Sequence, residues 1–341
     1  MKIKIRGKFF KFFSSLSINY KLDSVGSTFS IKARFDPDNL EHRFIFKPLT
    51  YNLIEIYTDA GELLLTGYIV SHSFQSSKKD SLQVLSGYSK PGVLEDCSVP
   101  YSLYPLERSN VSLTELAESL VSEFGISVKV DSSVQTDMSL QYAKIAAEPT
   151  ESIKAFISKL ASQRNVTLSH TQDGKLLFFR PGDASSPKAS FSTTNTISMA
   201  LDVNGQGIHS KITVIGQPSK DNVSLAPVDE AVNPIVQLIS RRTVKTLSSG
   251  TETDTKKAVD NALSNELKNI SFVVTTNKID VTLKCGDIVE VQNKYLSLYR
   301  KSRLMIASML VLENNSSETM TLSLVLPETF NGKKPKNIFE E

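Results

Sequence analysis

Apolar and polar residues alternate with a period of two along the first hundred residues. The alternation is clear in "KIKIR" at residues 2–6, and residues 53–74 read as strand, Asp-Ala-Gly turn and strand. This period is typical of β-strands, whose successive side chains point to opposite faces. Gly67 and Gly87 are expected where strands end or bend sharply. Short strands separated by turns therefore predict a first small antiparallel β-barrel over residues 1–100.

Between residues 101 and 183 the apolar period becomes that of a helix. Ser112 and Glu115 have the spacing of a capping box, and Gly125 supplies a left-handed stop before an alternating strand. The apolar stripe of this helix is Leu113, Leu116, Ala117, Leu120, Val121 and Phe124.

The same helix-to-strand pattern returns later in this segment. Asn165 takes the place of Gly125, an offset of 165 − 125 = 40 residues, and Asp173-Gly174 predicts a hairpin turn. Either an internal duplication or the common occurrence of such helix and strand signals explains this constant offset. The second stripe is Ile153, Phe156, Ile157, Leu160 and Ala161, followed by a strand that starts with Val166 and Leu168. Together the two patterns predict an α/β module over residues 101–183.

After a small-residue linker at 182–190, the period of two resumes. It predicts a second β-barrel over residues 184–328, with an inserted helix at 252–269 and a polar C-terminal tail at 329–341. The fold class expected is mainly β with α+β, with two small antiparallel β-barrel domains flanking an α/β module. The strands are expected in residues 207–219, 233–247, 270–283, 286–292 and 317–328, and the helix stripe at Ala258, Ala262, Leu263, Glu266 and Leu267.

Composition limits the classes of function. A length of 341 residues favours several domains, and 40% hydrophobic with 22% charged residues is typical of a soluble globular protein. A net charge of +3 argues against general electrostatic binding of DNA. Cys97 and Cys285 are too far apart for a C-x-x-C pair. We expect no exported leader and no membrane span, and synthesis in a bacterial cytoplasm.

No motif predicts catalysis or cofactor binding. His42, His72, His170 and His209 are isolated from one another, and the sequence has no H-E-x-x-H, G-x-S-x-G, P-loop or G-x-G-x-x-G motif. The stretch "NGQGIH" at 204–209 is too short for a phosphate-binding loop. We therefore expect no catalytic residue, no cofactor-binding residue and no metal ligand.

The stretch "GYSKPGVLEDCSVP" at residues 87–100 nevertheless resembles an active site in composition. Glu95 and Asp96 could serve as an acid and a base, with Cys97 as the nucleophile. In an extended segment, however, the two carboxylates would point to opposite faces. The favoured interpretation is structural, with Pro91-Gly92 turning the chain out of the barrel and Leu94 and Cys97 anchoring it.

Three basic stretches have alternative interpretations. "KIKIRGKFFKFF" at 2–13 interleaves basic and aromatic residues, as binding sites for single-stranded nucleic acid or anionic lipid do. A half-buried first strand with edge lysines explains the same pattern and is favoured. "RRTVK" at 241–245 and "KKPK" at 333–336 are interpreted as solvated surface or interface in preference to a targeting signal.

The order of these elements resembles one family, the baseplate hub proteins of contractile-tailed phages, especially the Mu-like tail protein and late control D group. The phrases that carry the resemblance are "LLLTGYIVSHSF", "LQVLSGYSKPGVLEDCSVP", "SLTELAESLVSEFGISVKVD", "TESIKAFISKLASQRNVTLSHTQDGKLLFFRPG", "HSKITVIGQ", "CGDIVEVQ" and "LSLVLPETF". Gly87-Tyr88-Ser89 departs from the family's usual Gly-Arg, and this chain has no tryptophan.

The resemblance implies a structural protein of the virion. Family members form homotrimers, so the chain would form a ring that adapts a six-fold tail tube to a three-fold central spike. The implied partners are the spike, the tail tube and other baseplate proteins, with DNA present only in transit during ejection. The particle would be a phage, a prophage or a tailocin. A cell-wall- or carbohydrate-binding module without catalysis is the alternative, and a hydrolase using Glu95 or Asp96 is a third hypothesis.

Overall fold

The structure is a computed structural model that describes residues 1–10, 13–76, 81–103, 107–142, 145–148, 150–182, 186–216, 227–246, 255–315, 317–331 and 333–340. Two compact units divide the chain. Unit 1 comprises Met1–Arg180, Asn277–Thr282 and Ser308–Met320. Unit 2 comprises Pro181–Thr276, Leu283–Ala307 and Thr321–Glu341. The four-part division expected from sequence stays a prediction.

The first sheet of unit 1 is antiparallel, in the order β2-β1-β5-β6-β7-β4-β3, with residues 308–314 beside β3. Its alternating apolar side chains are buried, as the period of two predicted. Among the described residues this strand path is open, so barrel closure is not seen there. The strands are β1 Lys2–Ile5, β2 Lys8–Phe10, β3 Phe13–Lys21, β4 Thr28–Arg34, β5 Leu53–Tyr57, β6 Leu63–Ser76 and β7 Ser81–Ser89.

One short helix in this region was not predicted. Helix α1, Leu40–Ile45, begins after Asn39, whose side chain accepts hydrogen bonds from the backbone N–H groups of Glu41 and His42. Six residues are too few for an apolar period to show in the sequence.

Gly67 and Gly87 lie inside β6 and β7 rather than at strand ends, and a sharp bend at these glycines stays a prediction. A Cβ on Gly67 would lie 2.1 Å from the Tyr88 carbonyl oxygen, and one on Gly87 would lie 1.9 Å from the Tyr68 carbonyl oxygen. The two strands therefore approach too closely for any side chain at either position.

The α/β module packs helices on a three-stranded sheet in the order β10-β14-β13. Strand β10 is parallel to β14, whereas β13 forms an antiparallel hairpin with it. Both predicted helices and the predicted hairpin are present. The elements are α2 Val93–Asp96, β8 Glu107–Arg108, β9 Val111–Ser112, α3 Leu113–Val121, β10 Val128–Val130, α4 Gln135–Ser139, β11 Gln141–Tyr142, β12 Ile145–Ala146, α5 Ile153–Gln163, β13 Thr167–His170 and β14 Leu176–Phe179.

Unit 2 contains paired strands and one long helix. Strand β17 lies between β18 and β19, antiparallel to β18 and parallel to β19. Its elements are β15 Ser190–Phe191, β16 Ser198–Val203, β17 Lys211–Ile215, β18 Val228–Val232, β19 Arg242–Thr246, α6 Thr255–Leu267, β20 Ile270–Thr276, β21 Ile288–Asn293 and α7 Glu328–Asn331. Strands β22 Leu298–Asn314 and β23 Ser317–Val325 contribute residues to both units.

Helix α6 is present where the inserted helix was predicted; residues 252–254 lie outside the described residues. Val259, which the predicted stripe omitted, is buried with Leu263 and Leu267. Strands β16, β18 and β22 were not predicted. Over the described ranges, no helix has the length and apolar character needed to cross a bilayer. The mainly β fold with α+β content is confirmed.

Candidate functional site: the crossing into the α/β module

Residues 87–100 lead from the first sheet into the α/β module, all within unit 1. Strand β7 ends at Ser89, Lys90–Gly92 form a 3-10 turn, and α2 follows. Leu94 has no exposed surface and joins the core of the module, where Cys97 packs against it. Glu95 and Asp96 therefore lie on a helical turn, and the extended conformation expected for them was wrong.

Glycines allow the backbone to cross closely at this point. A Cβ on Gly26 would lie 2.7 Å from the Cα of Gly92. A Cβ on Gly92 would in turn lie 2.6 Å from the ring of Tyr88. A larger residue at Gly26 would push the loop before β4 away from the crossing, and one at Gly92 would displace the Tyr88 ring.

A buried hydrogen-bond network joins this loop to the α/β module. The Ser27 N–H donates to Ser89 Oγ at 3.0 Å and to His170 Nε2 at 3.1 Å. Ser27 Oγ lies 2.6 Å from the same nitrogen, and His170 Nδ1 lies 3.1 Å from the Thr171 carbonyl oxygen. We assign the proton to Nδ1, because Nε2 accepts the Ser27 N–H.

Burial lowers the pKa of His170, so the imidazole is neutral at pH 7. A serine hydroxyl beside a histidine is the arrangement of a nucleophile and its base. Ser27, however, is only 1% exposed. Its backbone N–H also donates to His170 Nε2, the nitrogen that its hydroxyl contacts. The pair therefore joins two parts of unit 1 and offers no approach to a substrate.

Further contacts fix the start of helix α5 to the crossing. The Ile153 N–H donates to the Cys97 carbonyl oxygen at 3.0 Å, and Ser98 forms a β-bridge with Ser152. The Lys90 ammonium donates to the Gly125 carbonyl oxygen.

The three residues considered for catalysis are engaged structurally. Glu95 forms an ion pair with Lys154 at 2.8 Å. Burial, together with the nearby Asp96 carboxylate, raises the pKa of the Tyr88 hydroxyl. Burial and Asp96 also raise the pKa of the Cys97 thiol, which disfavours the thiolate that nucleophilic attack requires.

Other residues highlighted by sequence also have local partners. His209 Nδ1 lies 3.0 Å from Glu266 Oε1, and His42 Nδ1 accepts the Asp36 N–H at 3.2 Å. Among the described residues, no group of three or more His, Cys, Asp or Glu side chains could hold a metal ion.

Basic residues in these stretches contact other residues of the chain. Lys4 pairs with Glu55 at 2.8 Å, and the Arg6 guanidinium lies 4.2 Å from the centre of the Phe44 ring. Arg241 donates to the carbonyl oxygens of Ile208 and Gln206, which shapes the loop at 204–209. These contacts favour the strand interpretation of residues 2–10; Lys11 and Phe12 lie outside the described residues.

The bond between Ser27 and His170 was missed by the sequence analysis. The two residues are 143 positions apart, and each is isolated in its own segment. A single sequence contains no signal for such a long-range pair.

Comparisons with known proteins agree with this architecture. Residues 91–180 match the family model "Baseplate hub protein gp44-like, second domain". The baseplate hub protein gp44 of Escherichia phage Mu is 22% identical over 179 residues, which are 52% of this chain and 45% of the Mu protein. The chain thus matches less than half the length of this curated relative.

Two solved structures share the fold over nearly the whole chain. The 43 kDa tail protein of prophage MuSo2 from Shewanella oneidensis has a TM-score of 0.80 at 18% identity, covering 96% of this chain and 99% of that one. The tail protein of Neisseria meningitidis MC58 has a TM-score of 0.77 at 18% identity, covering 97% of each chain. The resemblance to the phage baseplate hub family is therefore confirmed, and residues 91–180 are the segment that the gp44-like second-domain model matches.

Proposed function

We propose that the chain is a structural baseplate hub protein of a phage tail, a prophage tail or a tailocin. The observation that carries the proposal is the fold shared with two tail proteins over at least 96% of the chain. The match of residues 91–180 to a baseplate hub domain supports it independently. The site at the crossing agrees with this role, because its polar groups join structural elements.

In this role the chain forms a homotrimeric ring at the end of a contractile tail. The ring adapts the three-fold spike to the six-fold tube through heterologous contacts that close on themselves. Two β-rich segments on either side of an α/β module would give each trimer six similar contact surfaces.

DNA would pass through the ring during ejection without being held there. The net charge of +3 is compatible with this, since a lumen rich in lysine would retain the phosphates that must move on. Assembly in the host cytoplasm and a final location in the virion belong to the same proposal. The chain would act by assembly and without catalysis.

The mass of the purified chain in solution tests the proposal. Light scattering should give about three times the 37.7 kDa of one chain, and negative-stain images of that sample should show rings. A chain that stays monomeric at high concentration and after addition of tail-tube or spike protein would contradict the hub role. Sedimentation with purified cell wall would then favour the carbohydrate-binding alternative.

A further inference from the structure

Two inward-facing side chains near the end of the β6–β7 hairpin have hydrogen-bonding atoms without a partner. Gln83 is completely buried, yet among the described residues neither its Nε2 nor its Oε1 has a hydrogen-bond partner. The buried Nε2 of His72 also lacks a partner within these ranges. An unpaired buried amide costs folding free energy that a pair of apolar residues would not. A protein retains such a cost where something else supplies the missing bonds.

Aromatic side chains lie beside these two residues. Phe74 is directly opposite Gln83 in the strand register and remains 47% exposed. The His72 ring stacks with Phe74 at a centroid distance of 6.4 Å, and Phe35 meets Phe74 edge-on at 5.5 Å. A half-exposed phenylalanine opposite a buried amide can change rotamer and contact another group. Aromatic side chains of this kind are frequent anchors in protein interfaces.

The same part of β6 has a free edge. Strand β5 pairs with β6 only as far as Leu53 opposite Tyr68, whereas β7 pairs with it as far as Ser76. Residues 71–76 therefore have a ladder partner on one side alone among the described strands. A free edge offers backbone N–H and C=O groups to another extended chain.

We propose that residues 71–76 receive an extended segment of another protein as an added β-strand, with one of its side chains hydrogen-bonded to Gln83 and His72. The free edge favours a polypeptide backbone as its partner, because a backbone presents hydrogen-bond donors and acceptors at the same spacing as a β-strand. The pair of polar residues selects a side chain that both donates and accepts, such as asparagine or glutamine. Burial also lowers the pKa of His72, which leaves a neutral imidazole for such a bond.

A displayed library of random nine-residue peptides, selected on the purified full-length chain, provides the probe. We expect selected peptides to slow amide exchange in residues 71–76. Phe74→Ala and Gln83→Leu should each weaken peptide binding at least about tenfold. Glu62→Ala, exposed in the turn before β6 and outside residues 71–76, is the control and should leave the affinity unchanged.

Peptide backbone modification tests the strand pairing separately. N-methylation of every second amide of a selected peptide should abolish binding when those amides donate to β6. Methylation of the other amides should have little effect, because they lie on the edge of the added strand that points away from β6. Equal effects of the two sets of methylations would contradict the proposal.

The stability of the free chain supplies a second readout. Gln83→Leu should raise the melting temperature if its amide is unsatisfied, while it weakens peptide binding. If Gln83→Leu lowers the melting temperature and no peptide is selected, the hydrogen bonds of Gln83 and His72 are made to a bound water, and the proposal is overturned. Self-association of the free chain that Phe74→Ala abolishes would assign the edge to a second copy and would also overturn it. Peptide selection and the slowed exchange of residues 71–76 are measured independently of the ring's mass.

Discussion

The two helix-to-strand segments of the α/β module follow the same sequence pattern but have different roles in the fold. Helix α3 is followed by β10, which lies parallel to β14, and α5 is followed by β13, which is antiparallel to β14. The second segment contacts the loop before β4 through His170 and Ser27, whereas the first segment contacts the crossing through Gly125, whose carbonyl oxygen accepts from Lys90. The position 40 residues before His170 is Val130, an apolar residue. Local pattern thus determines the helix and strand, whereas a single residue at the strand end determines the long-range contact.

The N-termini of the two helices show a similar contrast. Helix α3 has a complete capping box, in which Ser112 Oγ accepts the Glu115 N–H and Glu115 accepts the Ser112 N–H. Helix α5 has only the first half, with Ser152 Oγ accepting the Ala155 N–H. Its start is held instead by the bond from Ile153 to Cys97. A helix that lacks one local cap can therefore be fixed by its tertiary neighbours.

The largest effect is expected from His170→Phe. It leaves the buried Ser27 hydroxyl without its acceptor and removes one of the two acceptors of the Ser27 N–H, at a cost of about 2–3 kcal/mol in the free energy of unfolding. Val130→Ala, at the matching position of the first segment, should cost roughly 1 kcal/mol or less. Urea denaturation of both variants measures the difference. Equal losses would show that the contact from β13 is not what distinguishes the segments.

Removal of the N-cap hydroxyls should have the next largest effect. Ser112→Ala should cost about 1–2 kcal/mol and Ser152→Ala roughly 1 kcal/mol, because the first change also releases Glu115 from its box. Thermal unfolding of the two variants tests this order. A larger loss for Ser152→Ala would mean that tertiary contacts do not support the start of α5.

Substitutions at Gly125 and Asn165, the left-handed residues that follow the two helices, should have more similar effects on stability. Gly125 has φ 60° and Asn165 has φ 54°, so alanine at either position should cost about 1 kcal/mol. Asn165→Gly should be nearly neutral, since glycine adopts this conformation without steric cost. Denaturation midpoints of the three variants provide the measurement. A destabilising Asn165→Gly would indicate a contact of the asparagine side chain beyond its backbone role.

The smallest effect is expected from mild acid. The lowered pKa of His170 means that the unfolded chain binds the proton more tightly. The stability that this histidine contributes is full above its ordinary pKa of about 6.5 and is lost as the pH falls through the lowered native value. Stability should therefore begin to decline between pH 7 and 6. His170→Gln should flatten this part of the pH profile, and an unchanged profile would exclude His170 as its source.

Sequence predicted best where a local signal was complete. The capping box at Ser112, the stop at Gly125 and the Asp-Gly hairpin each act within a few residues, so the α/β module was readable. Strand β22 was missed because its burial does not alternate. Tyr299, Arg300 and Lys301 are consecutive exposed residues, and Leu304, Met305 and Ile306 are consecutive buried ones. A long strand whose environment changes along its length loses the period of two on which its recognition depends.

By itself, the sequence determined the mainly β class with α+β content, the two helices of the α/β module and the resemblance to baseplate hub proteins. These follow from local periods, caps and the order of elements. Tertiary structure decided that Ser27 bonds to His170, that Gly67 and Gly87 face carbonyl oxygens of the neighbouring strand, and that the Gln83 amide is buried with no hydrogen-bond partner in the described part of the chain. Each depends on residues brought together from distant or adjacent strands, and the pairing of strands is set by the packing of the whole unit.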